Sequence, residues 1–469
     1  MIPVHRSPYA GDWYPAEASA LERLIQDAFE SSRQRTGPFL FPNGLGFIVP
    51  HAGPKYSGTV AAAAYRALQQ QKPESVVVLA FPHRGGLRGM AAPDVDVVAT
   101  PLGEVRVERE FSAGFPVMEE ARVCDHSFEI QLPFLQEAVP GARVTPLYVG
   151  EMDAGQRSAA ADRLAAAWRP GVVFVASSDF THYGRNFGHV PFPHDGAVKE
   201  RLRELDQEYI EAAGSLDSGL FLKTLGEHRA TVCGTGPIAL LLEVMRRLGG
   251  EEIYQTTLDY QTSGEITGDF RHSVSYAALG YYPRASFDLD PADREALLAS
   301  AEETLTRLRE TDERQASTAR HGSEALTAPR GVFASLHQGG RLLGCVGNVV
   351  GRRPLAEEAA ELTLSAALDD PRFRPAAEAK GPIDIEISVL TPLRRMASRE
   401  RFCPGRHGAF LKLGQSAGLL LPQVATEYGW NAEEFLRALA RKSGLRPKAL
   451  EDPKARLYQF GAQVFGRAG

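Results

Sequence analysis

The sequence is poor in the features that mark several classes of protein. It has only four cysteines: Cys124, Cys233, Cys345 and Cys403. They form no CxxC pair, which predicts free thiols rather than a disulfide framework or a paired-cysteine metal site. No run of about 18 apolar residues is present, and the first residues lack the apolar core of a signal peptide. A formal net charge of -6 gives no basic footprint for nucleic acid. We therefore expect a cytoplasmic protein with neither a nucleic-acid nor a membrane partner.

The residues that are present predict two domains. The chain has 469 residues, which is long for one hydrophobic core, and 43% of them are hydrophobic. A proline-containing acidic stretch at 283–291 separates regularly alternating strands and helices from a less regular mixture. We predict an α/β domain at 1–284 and a smaller α+β domain at 285–469, with a mobile loop at about 311–329.

An apolar run that ends abruptly in polar, titratable residues is the most informative stretch. Residues 172–177 predict a central strand buried on both faces, and Ser178, Asp179 and His182 follow it. Open α/β sheets place their ligand crevices at this end of their strands. We therefore expect catalytic chemistry here. A hydrolase using Ser178, His182 and Asp179 is the weakest alternative, because the serine and the aspartate are adjacent and no Gly-x-Ser-x-Gly elbow is present.

Two earlier apolar runs, 45–49 and 75–80, each end on a Pro-His dipeptide. Residues 59–71 between them predict a helix, so that the three elements form a βαβ unit with parallel strands. The carboxyl ends of parallel strands lie at one edge of a sheet. We therefore expect His51 and His83 to lie close together there.

A thiol joins these histidines as a candidate ligand. Cys233 precedes a helix predicted over 238–248, which Pro237 opens at its first position, and the positive end of the helix dipole favours the thiolate. The candidate cluster is His51, His83, His182, Cys233 and Asp179, with His126 and Glu129 as a possible outer shell. Nitrogen and sulfur donors suit iron, copper or zinc rather than magnesium or calcium. Because a histidine at a strand end is more often a surface or hydrogen-bonded residue, the hypothesis depends on these segments meeting at one edge.

Five motifs of the first half resemble, in the same order, those of the Memo family, also called AmmeMemoRadiSam system protein B. They are Tyr9–Tyr14, Pro50–Gly53, Asp125–Glu129, Ser177–His182 and Thr231–Gly234. The resemblance implies a fold similar to the class III extradiol dioxygenases, an α/β sandwich that binds non-haem Fe(II). It also implies that His51, His83 and Cys233 bind the metal, with Asp179 and His182 beside it. Arg84 and Tyr9 stand where the family commonly has histidines.

Such a site implies a metal-dependent redox enzyme with iron(II) or copper, zinc being possible. His182 would act as general acid or base, and Asp179 would fix its orientation. The alternative is a non-catalytic interaction module that binds a metal or a peptide in the same cleft. The substrate, a small molecule or a peptide, is not indicated by the sequence.

Four motifs of the second half resemble the AMMECR family, or AmmeMemoRadiSam system protein A. They are Leu343–Gly347, Ala367–Phe373, Ile385–Leu390 and Leu421–Ala425. Cys345 is a candidate catalytic nucleophile, because the glycines beside it allow a ligand or a backbone to approach. The simpler interpretation is a small buried thiol in a tight strand pairing.

The joining of these two halves also implies a partner. It resembles two components of a three-part system whose third member is a radical S-adenosylmethionine (radical-SAM) protein. This chain has no CxxxCxxC cluster motif and is not that member. We therefore expect it to act with a radical-SAM protein.

Overall fold

The computed structural model describes residues 4–311, 314–318 and 322–467. The chain divides into two compact units, Met1–Ser286 and Phe287–Gly469. Each unit combines strands and helices, which makes the protein mixed α/β. Every helix in the described ranges falls short of the length or the apolarity that a membrane span requires.

Strands and helices alternate along most of the first unit. In chain order they are β1 (Val4–Arg6), α1 (Ala18–Thr36), β2 (Gly46–Val49), α2 (Pro54–Gln71), β3 (Ser75–Ala80), β4 (Met90–Pro93), β5 (Val97–Thr100), β6 (Gly103–Arg106), β7 (Val117–Met118), α3 (Glu120–Val123), α4 (His126–Glu129), α5 (Gln131–Ala138), β8 (Arg143–Val149), α6 (Ala154–Ala167), β9 (Val172–Ser177), β10 (His182–Gly184), α7 (Val198–Gly214), α8 (Ser218–His228), α9 (Thr235–Gly249), β11 (Ile253–Thr262), α10 (Ser263–Thr267) and β12 (His272–Pro283).

The main sheet of this unit has a parallel centre. Its strand order is β10-β12-β2-β9-β3-β8-β4-β7, with β11 added beside β12. The strands β2, β9, β3 and β8 run parallel, whereas β12 and β4 flank them in antiparallel pairings. The strands β1, β5 and β6 form a separate small sheet. The parallel βαβ arrangement that the sequence predicts for β2, α2 and β3 is confirmed, with β9 between the two strands.

Burial explains why the central strands form where they do. Every residue of β3 and β9 is buried, as continuous apolar runs predict for strands covered on both faces. Val77 and Phe174 from these strands share one hydrophobic cluster with Leu164 of α6 and Leu241 of α9. Burying side chains of this size contributes roughly 1.5–3 kcal/mol each, which holds the sheet and its helices in one core.

Two helices begin earlier than the sequence predicts. The helix α2 starts at Pro54 rather than near residue 59, and Gly53 precedes it as the N-cap. Proline suits this first turn because its missing N–H would be unpaired there. The helix α9 starts at Thr235, so that Pro237 is the third helical residue and not the first. His51 therefore lies in a short turn between β2 and α2.

Two antiparallel sheets and several helices form the second unit. Its elements are α11 (Pro291–Thr311), β13 (Val332–Gln338), β14 (Arg341–Asn348), α12 (Leu355–Leu368), β15 (Asp384–Leu390), β16 (Arg394–Arg395), β17 (Gly408–Leu413), β18 (Ser416–Leu420), α13 (Pro422–Tyr428), α14 (Ala432–Lys442), β19 (Arg456–Phe460) and β20 (Ala462–Arg467). The sheet orders are β14-β13-β15-β20 and β16-β19-β17-β18.

The segment 311–329, predicted to be a mobile loop, makes specific contacts where the structure describes it. The backbone N–H of Ser317 donates to Thr304 Oγ1 at 2.9 Å. The backbone N–H of Ser323 donates to Asp293 Oδ1 at 2.8 Å. Residues 312, 313 and 319–321 lie outside the described part, and mobility of the segment stays a prediction.

Close packing accounts for the two glycines beside Cys345. A Cβ atom at Gly344 would lie 2.0 Å from the carbonyl oxygen of Ala366 in α12. One at Gly347 would lie 2.2 Å from the ring of Phe333. A helix backbone and an aromatic ring therefore fill the space that these glycines leave.

We expect Gly344→Ala to lower the free energy of unfolding by about 1–3 kcal/mol, because β14 must move away from α12. Thermal unfolding of the full chain, followed by circular dichroism, measures this. The control is Gly226→Ala on α8, where an added Cβ meets no atom within 4 Å. Equal transition temperatures for the two variants would contradict the close approach.

Candidate metal centre

The carboxyl ends of three parallel strands bring the predicted residues together. The strands β2 and β3 both pair in parallel with β9, so that the three strands end at one edge of the sheet. His51, His83 and Asp179 follow these ends. The ring centroids of the two histidines lie 5.0 Å apart. The prediction that they lie close together is confirmed.

A hydrogen-bond network fixes which nitrogen of His51 carries the proton. The hydroxyl of Ser177 has one proton and donates it to the Ser127 carbonyl oxygen at 2.5 Å. It therefore accepts from Gln131 Nε2 at 3.0 Å and from His51 Nδ1 at 2.9 Å. The proton of a neutral His51 thus lies on Nδ1, and the lone pair of Nε2 is available to a cation.

The surroundings keep His51 neutral. Burial lowers the pKa of its imidazole well below the usual value, and the neighbouring His83, His126 and His182 lower it further. A neutral imidazole is the form that binds a metal ion.

Asp125 orients two further imidazoles. Its Oδ1 accepts from His83 Nδ1 at 2.7 Å and lies 3.3 Å from His126 Nδ1. The two rings stack with their centroids 4.0 Å apart. Burial lowers the pKa of His126 to about 4. Carboxylates that hold Nδ1 in this way are common behind metal-binding histidines, because they leave Nε2 unprotonated.

Cys233 lies against His51. Its Sγ is 3.1 Å from His51 Nε2 and accepts the backbone N–H of Asp179 at 3.2 Å. Burial raises the pKa of this thiol, and the nearby Asp179 carboxylate raises it further. Desolvation thus acts against the thiolate that the sequence predicts at this helix start. The thiolate requires a cation beside it.

Asp179 is a buried anchor for the turn after β2. Its Oδ1 accepts the backbone N–H groups of His51 at 2.8 Å and Ala52 at 3.3 Å. Burial raises the pKa of its carboxyl group, while the charge of the nearby His182 acts in the opposite direction. Asp179 thus both positions His51 and interacts electrostatically with His182.

Backbone carbonyls, rather than Asp179, orient the ring of His182. Its Nδ1 lies 3.0 Å from the carbonyl oxygens of both Phe180 and Thr231. Carbonyl oxygens only accept, so Nδ1 carries the proton and Nε2 has a lone pair. The sequence predicts that Asp179 fixes the orientation of this ring, but the groups that hold its Nδ1 are these two carbonyl oxygens.

These side chains form two possible ligand groups that share His51. One group is His51, His83 and His126, and the other is His51, Asp179 and Cys233. Within each group the ligand atoms lie within 4.8 Å of one another. The sequence predicts only an outer-shell role for His126, although its position next to Asp125 at a helix start is a usable signal. The sequence predicts the same outer-shell role for Glu129, but its Oε1 instead accepts a hydrogen bond from His5 Nε2 at 2.9 Å.

Ser178 lacks the environment of a nucleophile. It is fully buried, its Oγ donates to the carbonyl oxygen of Asp179 at 2.8 Å, and it accepts the N–H of Gly234 at 2.9 Å. Both bonds use backbone groups. The hydrolase alternative therefore gains no support from the geometry.

Polar and charged groups surround Cys345 in the second unit. Ser335 Oγ lies 3.3 Å from the Sγ of Cys345. The backbone N–H of Cys345 donates to Asp370 Oδ2 at 2.8 Å. Arg372 donates to its carbonyl oxygen at 2.9 Å, and Lys442 is near enough for its charge to interact with the sulfur. The structure thus brings Asp370 and Arg372 to Cys345, and its catalytic role stays a prediction.

Comparisons with known proteins agree with the motifs. The family model described as Memo-like protein matches residues 6–280, and the model described as AMMECR1 matches residues 298–465. A MEMO1 family protein of Methanopyrus kandleri is 32% identical over 296 residues, which cover 59% of this chain and 98% of the relative. One of Methanosarcina barkeri is 34% identical over 279 residues, covering 58% and 97%. The crystal structure of an uncharacterized protein from Pyrococcus horikoshii matches with 30% identity and a TM-score of 0.37, covering 38% of this chain and 93% of that one.

The fold and the site define a mixed α/β protein with side-chain clusters that could bind a metal ion. Within that class, the chain belongs to the Memo family, and its second half carries an AMMECR1 domain.

Replacing Ser177 tests the network behind His51. We expect Ser177→Ala to weaken metal binding by roughly 10–100-fold, the usual effect of losing a partner of a metal-binding histidine. The reason is that Nδ1 loses its acceptor and the ring loses its fixed orientation. Competition with a chromogenic chelator measures the affinity.

The matched control for this change is Ser75→Ala, another buried strand serine, whose hydroxyl donates to Glu108 at 2.6 Å. It should leave the metal affinity unchanged. Equal affinities for the two variants would contradict the role of Ser177.

Proposed function

We propose that the first unit is a metal-dependent redox enzyme that uses iron(II) or copper, with zinc as a possible substitute, on a fold like that of the class III extradiol dioxygenases. The observation that carries the proposal is that His51 is shared by two possible ligand groups and has its Nδ1 proton held away from them. His51, His83 and Cys233 would bind the ion, although His83 groups with His126 in one cluster and Cys233 groups with Asp179 in the other.

The chemistry of these donors fits the proposed metals. The ring nitrogens of His51 and His83 that face a fixed acceptor are both Nδ1, so both histidines offer Nε2. A bound cation would compensate for the burial that now keeps Cys233 protonated. Iron or copper held by imidazole and thiolate supplies a redox-active centre with positions open to other ligands.

His182 is suited to move a proton. Its Nδ1–H is held by two carbonyl oxygens, so Nε2 is the atom that accepts a proton from a substrate and returns it. The buried carboxylate of Asp179 interacts with the charge of His182 and would stabilise the imidazolium that forms. His182 is thus proposed as the general acid or base and Asp179 as its electrostatic partner.

A cavity beside the centre supports a small-molecule substrate. Its volume is about 370 Å³, and its walls include Phe81, Pro82 and Thr235, which lie within two residues of His83 or Cys233 in sequence. The ring centroid of Phe81 lies 4.8 Å from that of His83. Arg157 also lines the cavity, and its guanidinium is paired with Glu243 at 2.9 Å. A mostly apolar molecule with one polar group is the class of substrate that such a cavity fits.

We also propose that the protein works in the AmmeMemoRadiSam system with a radical-SAM partner. The support is the presence of a Memo and an AMMECR1 domain in a single chain. Recovery of such a protein by crosslinking and mass spectrometry from the source cells tests this partnership.

A non-catalytic interaction module is the second candidate. The observation that favours it is an exposed aromatic surface next to the centre, where Trp13 lies against His126 in a tilted ring contact with centroids 4.4 Å apart. Trp13 and Tyr56 remain 38% and 42% exposed. Aromatic rings of this kind provide contact area for a peptide.

Elemental analysis of anaerobically purified protein tests the metal. We expect about one iron or copper per chain, and its loss in His51→Ala and in Cys233→Ala, because each change removes a donor from the centre. The control is His194→Ala, an exposed histidine. Full metal content in both ligand variants would exclude these residues as ligands, and no metal after reconstitution with Fe(II) and Cu(I) would favour the interaction module.

Removing His182 separates proton transfer from metal binding. We expect His182→Ala to keep the metal and to lose turnover by roughly 10²–10⁴-fold, the usual contribution of a general acid or base. The assay is consumption of O₂ with candidate substrates, with metal content measured on the same samples. Loss of the metal in this variant would instead make His182 a ligand.

A further inference from the structure

A second cluster of metal-binding residue types lies in the first unit, apart from the ligands discussed above. His5 of β1, Cys124 after α3 and Glu129 of α4 have ligand atoms within 4.8 Å of one another. Cys124 and Glu129 are 4% and 0% exposed. Imidazole, thiol and carboxylate together are the donor set of zinc sites.

An unpartnered atom points to a missing ligand in this cluster. Glu129 Oε1 accepts from His5 Nε2 at 2.9 Å, but its other oxygen, Oε2, is buried and has no hydrogen-bond partner in the described part of the chain. A buried carboxylate oxygen without a partner is unusual in a folded protein. A cation between Glu129, His5 and Cys124 would satisfy it.

The second ring nitrogen of His5 faces a carboxylate, as it does in many metal sites. Its Nδ1 lies 3.1 Å from Glu120 Oε2, while Nε2 faces Glu129. A carboxylate on the second ring nitrogen orients a metal-binding histidine and makes it a better donor. Without a metal, burial acts to lower the pKa of His5, but the two carboxylates outweigh it and raise the pKa.

The thiol also depends on a neighbouring cation. Burial raises the pKa of Cys124 to about 12, and Glu129 and Glu120 add to the effect. The thiol is therefore protonated in the metal-free protein. Thiolate, neutral imidazole and carboxylate are the forms in which these three residues would bind one ion.

We propose that His5, Cys124 and Glu129 form a second metal site, which binds Zn²⁺ and ties β1 to the segment that contains α3 and α4. Cys124 and Glu129 are buried, and three protein donors leave one position of a four-coordinate zinc to another ligand. The two sets of proposed ligands share no residue, although Cys124 and Glu129 flank Asp125 and His126 in the same short segment.

Cobalt substitution tests this site in the full chain. Metal-free protein is titrated anaerobically with Co²⁺, and the thiolate-to-cobalt charge-transfer band reports a Cys–Co bond. Cys233→Ser removes the thiol of the first centre. We expect this variant to keep about one such cobalt, displaced by Zn²⁺, and Cys124→Ser in addition to abolish the band. Cys403→Ser, at an exposed thiol, is the matched control and should change nothing.

The outcomes distinguish the two sites. Folded Cys233→Ser protein that gives no band, or a band that persists after Cys124→Ser, would overturn the proposal. His5→Gln provides a second test if a cysteine variant misfolds: it should reduce cobalt bound by the otherwise wild-type chain by about one equivalent. An unchanged equivalence would count against the site. If the redox centre binds no metal, the charge-transfer band that depends on Cys124 should still appear.

Discussion

The parallel pairing of β2 and β3 on either side of β9 is the constraint on which the rest of the first unit depends. It forces the three chain segments after these strands to leave the sheet at one edge. Asp179 then closes the arrangement by accepting the backbone N–H groups of His51 and Ala52. The backbone of His51, after β2, is thus held in place by the carboxylate of Asp179, after β9. The side chain of His51 remains available for other contacts.

Burial governs the protonation of the centre. It lowers the pKa of His51 and raises the pKa of both Cys233 and Asp179, so that each group tends toward its neutral form. Neutral histidines are ready to bind a cation, whereas the thiol must first lose its proton. Metal binding here is therefore coupled to proton release from Cys233, and affinity should rise with pH until this thiol is ionised.

Local sequence patterns predict much of this structure, because the signals they use are local. The buried strand at 172–177 follows from a continuous apolar run. The ligands at the strand ends follow from topology. The partners that fix the histidine rings cannot be predicted in this way. The carbonyl oxygen of Thr231, from a distant segment, contacts His182, and every residue type has such a carbonyl group. The second sheet of the AMMECR1 domain is equally hard to predict, since β16 consists of two arginines.

The short segment from Cys124 to Glu129 serves two sides of the first unit. Asp125 and His126 contact His83, whereas Cys124 and Glu129 group with His5. The backbone N–H of Asp125 donates to the buried Tyr148 hydroxyl at 2.9 Å. This hydrogen bond fixes the position of the segment between the two clusters. Asp125 has extended backbone between α3 and α4, and neighbouring side chains on extended backbone point in opposite directions, so that this short segment can supply both clusters. A substitution that shifts this segment should therefore disturb His83 through Asp125, even when it replaces none of the proposed ligands.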